Sequence, residues 1–182
     1  MNDKKPEKQY ILITSFGTDR PGIVEDLSGW ILECGGNIED SRMSLLGGEF
    51  ASLILVSGDE QTPRKLEGSI TEFQDSRNLT VFLKPVSGEP LRAERAVMRY
   101  YLQAASLDHP GIVHKVAGIL HRHEINIISA QTHTVSAPFS GSLAFHLDME
   151  IDIPGEVSIN RLREDLHELG DEENIDIELS AE

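Results

Sequence analysis

Asp19, Pro21 and Gly22 stand in the run DRPGIV, and the same types return as Asp108, Pro110 and Gly111 in DHPGIV, 89 positions later. A short carboxylate, a proline and a glycine at the start of a helix bring backbone N–H groups, the positive end of a helix dipole and one fixed negative charge into one loop. Such a loop holds a small anion on its N–H groups while the carboxylate accepts hydrogen bonds from an ammonium. Together these describe an α-amino acid. The competing reading is structural: Asp caps the helix and Gly permits close packing. The second position of the motif varies, Arg20 against His109, so it is either a free surface position or one that tunes the charge and pH response of the loop.

The elements that position these residues also repeat. Asn37-Ile38 recurs as Asn126-Ile127, and in both cases the Asn follows the motif Asp by 18 positions. Ahead of each turn lies an apolar, β-branched or aromatic segment, YILITSF or YYLQAASL, that reads as a strand. A helix follows, with Val24, Leu27, Ile31 and Cys34 on its apolar face in the first copy and Val113, Val116 and Leu120 in the second. Pro21 and Pro110 fit the first helical turn, where a missing N–H costs nothing. Gly35-Gly36 ends the first helix and His123-Glu124 the second. A strand then turns back, through Gly47-Gly48 in one copy and the longer SAPFSGS, residues 136–142, in the other. The returning strand of the second copy alternates Leu143, Phe145, Leu147, Met149, Ile151 and Ile153 with polar residues, the period of a sheet wet on one face.

Thr62-Pro63 opens another helix with Leu66, Ile70 and Phe73 inward. Ser158 opens its counterpart with Leu162, Leu166 and Leu169, which is expected to stop at Gly170. LTVFLK and the alternation Ile175, Ile177, Leu179 close the two copies. Strand, helix, strand, strand, helix, strand is the split βαβ or ferredoxin-like order, so the fold class is α+β: two βαββαβ units, each an antiparallel sheet with its helices on one face. The expected division is residues 1–84, a Pro-, Gly- and charge-bearing linker at 85–95, and residues 96–182.

The motif, its spacing and the duplication together resemble tandem ACT domains, from about Gln9 to Leu179. That resemblance implies a regulatory module that binds an amino acid at the loop between first strand and first helix, usually where two units pair edge to edge. It carries the ligand contacts over to Asp19, Gly22 and Asn37 and to Asp108, Gly111 and Asn126, with Arg20 and His109 flanking them. Chains built of two ACT units alone, with a second hairpin like this one, resemble accessory regulators of glycine cleavage genes that contact a DNA-bound transcription regulator protein and not DNA. A small amino acid, glycine or a relative, is the implied ligand. An ACT interaction module without a ligand, or a small ferredoxin-like enzyme, are the alternatives.

Composition agrees with a regulator that leaves DNA alone. Sixteen Lys and Arg against 31 Asp and Glu give a formal charge of −15, which repels a phosphate backbone, so no direct nucleic-acid contact is expected. No apolar run is long enough to cross a bilayer and the start is polar, so the expectation is a cytoplasmic protein without a membrane role. The lone Cys34 reads as a small buried hydrophobe. His121 and His123 lie two apart, on different helix faces, and make a poor metal pair; they read as solvated helix-end residues. His133 is divided evenly between a ligand contact and the open side of the sheet. Asp171-Glu172-Glu173 reads as a turn. With no G-x-G-x-x-G, G-x-x-x-x-G-K, C-x-x-C or G-x-S-x-G motif, neither an enzyme nor a cofactor is expected. Unpaired sheet edges are expected to be satisfied by pairing of the units and by a homodimer.

Overall fold

A computed structural model describes residues 8–87, 97–107, 110–136 and 143–181. Asp108, His109, most of the expected linker and the tip of the second hairpin lie outside the described residues. Contacts divide the chain into two compact units, Met1–Arg92 and Ala93–Glu182.

The first unit runs β1 (Gln9–Thr18), α1 (Ile23–Glu33), β2 (Asn37–Leu46), β3 (Glu49–Gly58), α2 (Thr62–Arg77) and β4 (Thr80–Val86). The second repeats it as β5 (Val97–Leu107), α3 (Ile112–Arg122), β6 (Asn126–Ser136), β7 (Leu143–Pro154), α4 (Ile159–Glu173) and β8 (Asp176–Ala181). Each sheet is antiparallel throughout, in the order β2-β3-β1-β4 and β6-β7-β5-β8. This is the α+β, ferredoxin-like architecture read from the sequence.

Burial follows the period of each element. In the first unit Ile11, Ile13, Ile54, Val56 and Val81 from the sheet pack against Leu27, Ile31, Leu66 and Phe73 from the helices. In the second, Leu102, Leu147, Met149 and Ile151 meet Val116, Leu120, Leu162 and Leu166. The helix faces are rotated from the expected ones. Ile23, Leu27, Trp30 and Ile31 are buried in α1 and Ile112, Val116, Ile119 and Leu120 in α3, whereas Val24 and Val113 are exposed. The helices begin one residue after Gly22 and Gly111, so the prolines precede the N-cap and do not occupy the first turn.

The end of α4 differs from expectation, whereas α1 and α3 end where expected. Helix α4 runs through Gly170 and Asp171-Glu172-Glu173 to Asn174, whose left-handed φ of 54° ends it. Gly170 instead serves packing, since a Cβ there would lie 2.7 Å from the Ile175 carbonyl oxygen. Helix α1 exits through Gly35 at φ 82°, and Glu124 adopts the same left-handed sense at φ 55° after α3. The Gly47-Gly48 hairpin has both residues at positive φ, as a two-residue turn between right-twisted strands requires.

Candidate functional site

Gly22 is the N-cap of α1 at φ 90°, ψ −2°, and Gly111 is the N-cap of α3 at φ 93°, ψ 2°. A side chain at such dihedrals is strained, so the glycine is set by backbone conformation; at Gly111 a Cβ would meet nothing within 4 Å. Neither helix receives a hydrogen bond from a capping side chain. The capping role considered for Asp19 is therefore not the one it plays. Asp19 is exposed, and its own N–H donates to the Gly48 carbonyl oxygen at 3.0 Å, which ties the loop to the β2–β3 hairpin. An exposed carboxylate beside an uncapped helix start is suited to a small molecule that carries an anion and a cation.

Arg20 is committed to the protein. Its Nη2 donates to Asp26 Oδ2 at 2.7 Å and to the Arg77 carbonyl oxygen at 3.3 Å, and its Nη1 to the Pro21 carbonyl oxygen at 3.3 Å. Arg77 Nε reaches the other Asp26 oxygen at 3.3 Å. The Asp26 carboxylate, 17% exposed, thus fastens the loop and the first turn of α1 to the last residue of α2. In the second unit Lys115 replaces Asp26 and Glu173 replaces Arg77, each before a left-handed Asn, and Lys115 Nζ lies 2.5 Å from Glu173 Oε2. The same staple is present with its charges exchanged. Asp26, Arg77 and Lys115 were missed in the sequence and Glu173 was read as part of a turn; the signal was there as opposite charges at matched positions of the two copies.

The asparagines are elsewhere. Asn37 opens β2 opposite Ser57, which in turn pairs with Tyr10, while the loop leaves β1 at Thr18. Eight positions of strand separate those levels, about 26 Å at ~3.3 Å per residue. Asn126 opens β6 opposite Asp152, level with Arg99, and the second loop leaves β5 at Leu107, again the far end of the sheet. In the first unit Asp19 and Gly22 share one loop and Asn37 sits at the opposite end of the sheet; in the second, Gly111 and Asn126 are separated in the same way. Asn37 instead donates to Glu39 Oε1 at 3.4 Å.

Other polar residues have structural partners. The N–H groups of Gln61 and Thr62 donate to Asp59 Oδ1 at 2.8 and 3.0 Å, and these bonds hold the Asp59 carboxyl below the usual aspartate value. His123 is 13% exposed and bonds Asp165 at 2.8 Å, so it is not the solvated helix-end residue expected; this bond lowers the Asp165 carboxyl in the same sense. His133 lies on the open face of its sheet, stacked on His146 with centroids 5.0 Å apart. Among the described residues no three His, Cys, Asp or Glu side chains are grouped to hold a metal ion, and no helix is long and apolar enough to cross a membrane.

Two ACT domain matches, at residues 9–84 and 100–171, cover both units. The chain belongs to the ACT domain family. Its two ACT units stand in tandem, and it is related to the glycine cleavage system transcriptional repressor of Escherichia coli (strain K12), at 27% identity over 147 residues, 81% of this chain and 76% of that protein. The crystal structure of an unknown protein from Galdieria sulphuraria superposes with a TM-score of 0.82 at 26% identity, covering 97% of this chain and 99% of the other. A second crystal structure, of a protein proposed to be a glycine cleavage system transcriptional repressor, shares the fold at TM-score 0.73 and 23% identity over 96% and 98%.

Proposed function

We propose that this chain is a non-enzymatic, amino-acid-responsive regulator that acts by protein–protein contact on a transcription regulator of glycine cleavage genes. The observation that carries the reading is the duplicated loop: a left-handed glycine N-cap, no capping side chain, and in the first unit an exposed Asp19 held in place through its backbone. The first-turn N–H groups take the carboxylate of a small amino acid such as glycine, and Asp19 and Asp108 take its ammonium. Arg20, held by Asp26, positions the first loop and leaves the carboxylate to the backbone. The tandem ACT matches and the relationship to a named transcriptional repressor support regulation over catalysis. The net charge of −15 supports a protein partner over DNA.

Ligand binding that changes affinity for the partner obliges the partner to change affinity for the ligand by the same factor. The test is isothermal titration with glycine, serine and the other small amino acids, on the natural chain and on Asp19→Ala and Asp108→Ala. Saturable heat that is lost in one variant supports the reading and names the working loop. Silence across the set from a folded chain overturns it.

A further inference from the structure

The two sheets turn opposite chemistry toward the side not covered by helices. Strand register places Leu12, Phe16, Leu53, Leu55 and Phe82 on the open face of the first sheet. Phe16 and Leu53 are each 47% exposed and Phe82 59%, and the Phe16 and Phe82 rings stack at 6.3 Å. In the second sheet the places of Leu53, Leu55 and Phe82 are held by Asp148, Glu150 and Glu178, opposite Gln103, Tyr101 and Gln103 respectively. One backbone design thus carries an apolar face in one unit and an acidic face in the other. Apolar side chains gathered on an open sheet lose free energy to water until something covers them, so a contiguous patch of this kind marks an interface.

We propose that a second copy of this chain covers the apolar face of the first unit, the two copies meeting face to face about a twofold axis. Charge selects this occupant. The same face carries Arg42 and Lys84 on one side of the account and Asp40 and Glu49 on the other, so its border is neutral in a chain of net charge −15. A twofold contact sets each border against itself turned around, which a border of mixed sign tolerates and a single-sign border does not. The acidic face of the second unit cannot take that place: it would set carboxylates against leucine and phenylalanine, or against more carboxylates. A head-to-tail contact through that acidic face fails for the same reason, and a face-to-face contact closes at two. The area suffices. Four strands at ~4.8 Å spacing and eight steps of ~3.3 Å make about 500 Å² of sheet per copy, or about 1,000 Å² for the pair, which reaches the size of a specific interface. This contact uses the sheet face, where the sequence suggested edges, and does not depend on the ligand reading.

The second unit supplies the substitutions for the test, since its sheet folds with carboxylates at these places. Sedimentation equilibrium and light scattering are run on the natural chain, on Leu53→Asp and Phe82→Glu, and on Asp148→Asn as a control on the acidic sheet face of the second unit. The natural chain and Asp148→Asn are expected to be dimers. Leu53→Asp and Phe82→Glu, each counted twice by the symmetry, are expected to weaken dimerisation about a hundredfold, a tenfold for each buried carboxylate, with unchanged circular dichroism. A natural chain that stays monomeric at all concentrations overturns the proposal and leaves the face to another protein. Dimers that survive both substitutions in folded protein overturn it by placing the contact elsewhere.

Discussion

Asp26 with Arg77 in the first unit and Lys115 with Glu173 in the second occupy the same two places on the same fold with their charges exchanged. Gly22 and Gly111, by contrast, occupy the same place with the same residue and φ values of 90° and 93°. The difference separates two kinds of constraint. A backbone with φ near 90° strains any side chain, so glycine repeats unchanged there, whereas the helix exit at φ 82° and 55° takes Gly35 in one unit and Glu124 in the other. An ion pair specifies only that the two partners be opposite, so either arrangement satisfies it. The open sheet faces show a third case, in which no helix packs on the residues and the two units carry opposite chemistries.

The largest effect that sharpens this comparison is at the glycines. Gly22→Ala and Gly111→Ala should each cost about 1–2 kcal/mol, because space is available and only the dihedral is strained. Thermal or urea unfolding checks it. Near-equal losses in the two units fit a shared backbone requirement; tolerance of one alanine would show that the two loops are not equivalent.

The staples should give less. Arg77→Glu sets two carboxylates together, and so does Lys115→Glu. In double-mutant cycles with the partner removed, each pair should show a favourable coupling below about 1 kcal/mol that shrinks with added salt, since Arg77 is 49% and Lys115 37% exposed. Arg20 complicates the first unit, so Asp26→Lys with Arg77→Glu should recover only part of the loss. Full recovery would mean that Arg20 does not depend on Asp26.

Acid should produce the smallest difference. Asp59 in the first unit and Asp165 in the second are both held below the ordinary aspartate value, by backbone N–H groups and by His123 respectively. A carboxyl whose folded value is depressed favours the folded state fully above its unfolded value, and that contribution disappears as pH falls through the folded one. Stability should therefore drop below about pH 4. Asp59→Asn should flatten the drop with little regard to salt, and His123→Gln should flatten it most at low salt. Unfolding midpoints from pH 6 downward, at about 0.05 and 0.5 M salt, read both.

The duplication, the order of elements and the two glycines were settled by sequence, because each rests on a local rule: alternation for strands, three-to-four spacing for helices, positive φ for Gly. The α4 terminus was read four residues early at Gly170 because a glycine that permits packing against Ile175 looks, in sequence, like one that ends a helix. The buried stripe of α1 was placed on Val24 instead of Ile23 because both stand at helical spacing from Leu27, and only the sheet beneath decides which turns inward.

What only the tertiary structure decided are relations between residues far apart in the chain. Asn37 and Asp19 share a motif but are held about 26 Å apart by the length of β1. Arg20 looked free for a ligand until Asp26 and Arg77 met it. Leu53, Leu55 and Phe82 were ordinary strand residues until register put them on one uncovered face. A sequence specifies local conformation through each residue's own sterics and hydrogen bonding, whereas partners and faces arise only when distant strands are brought into register.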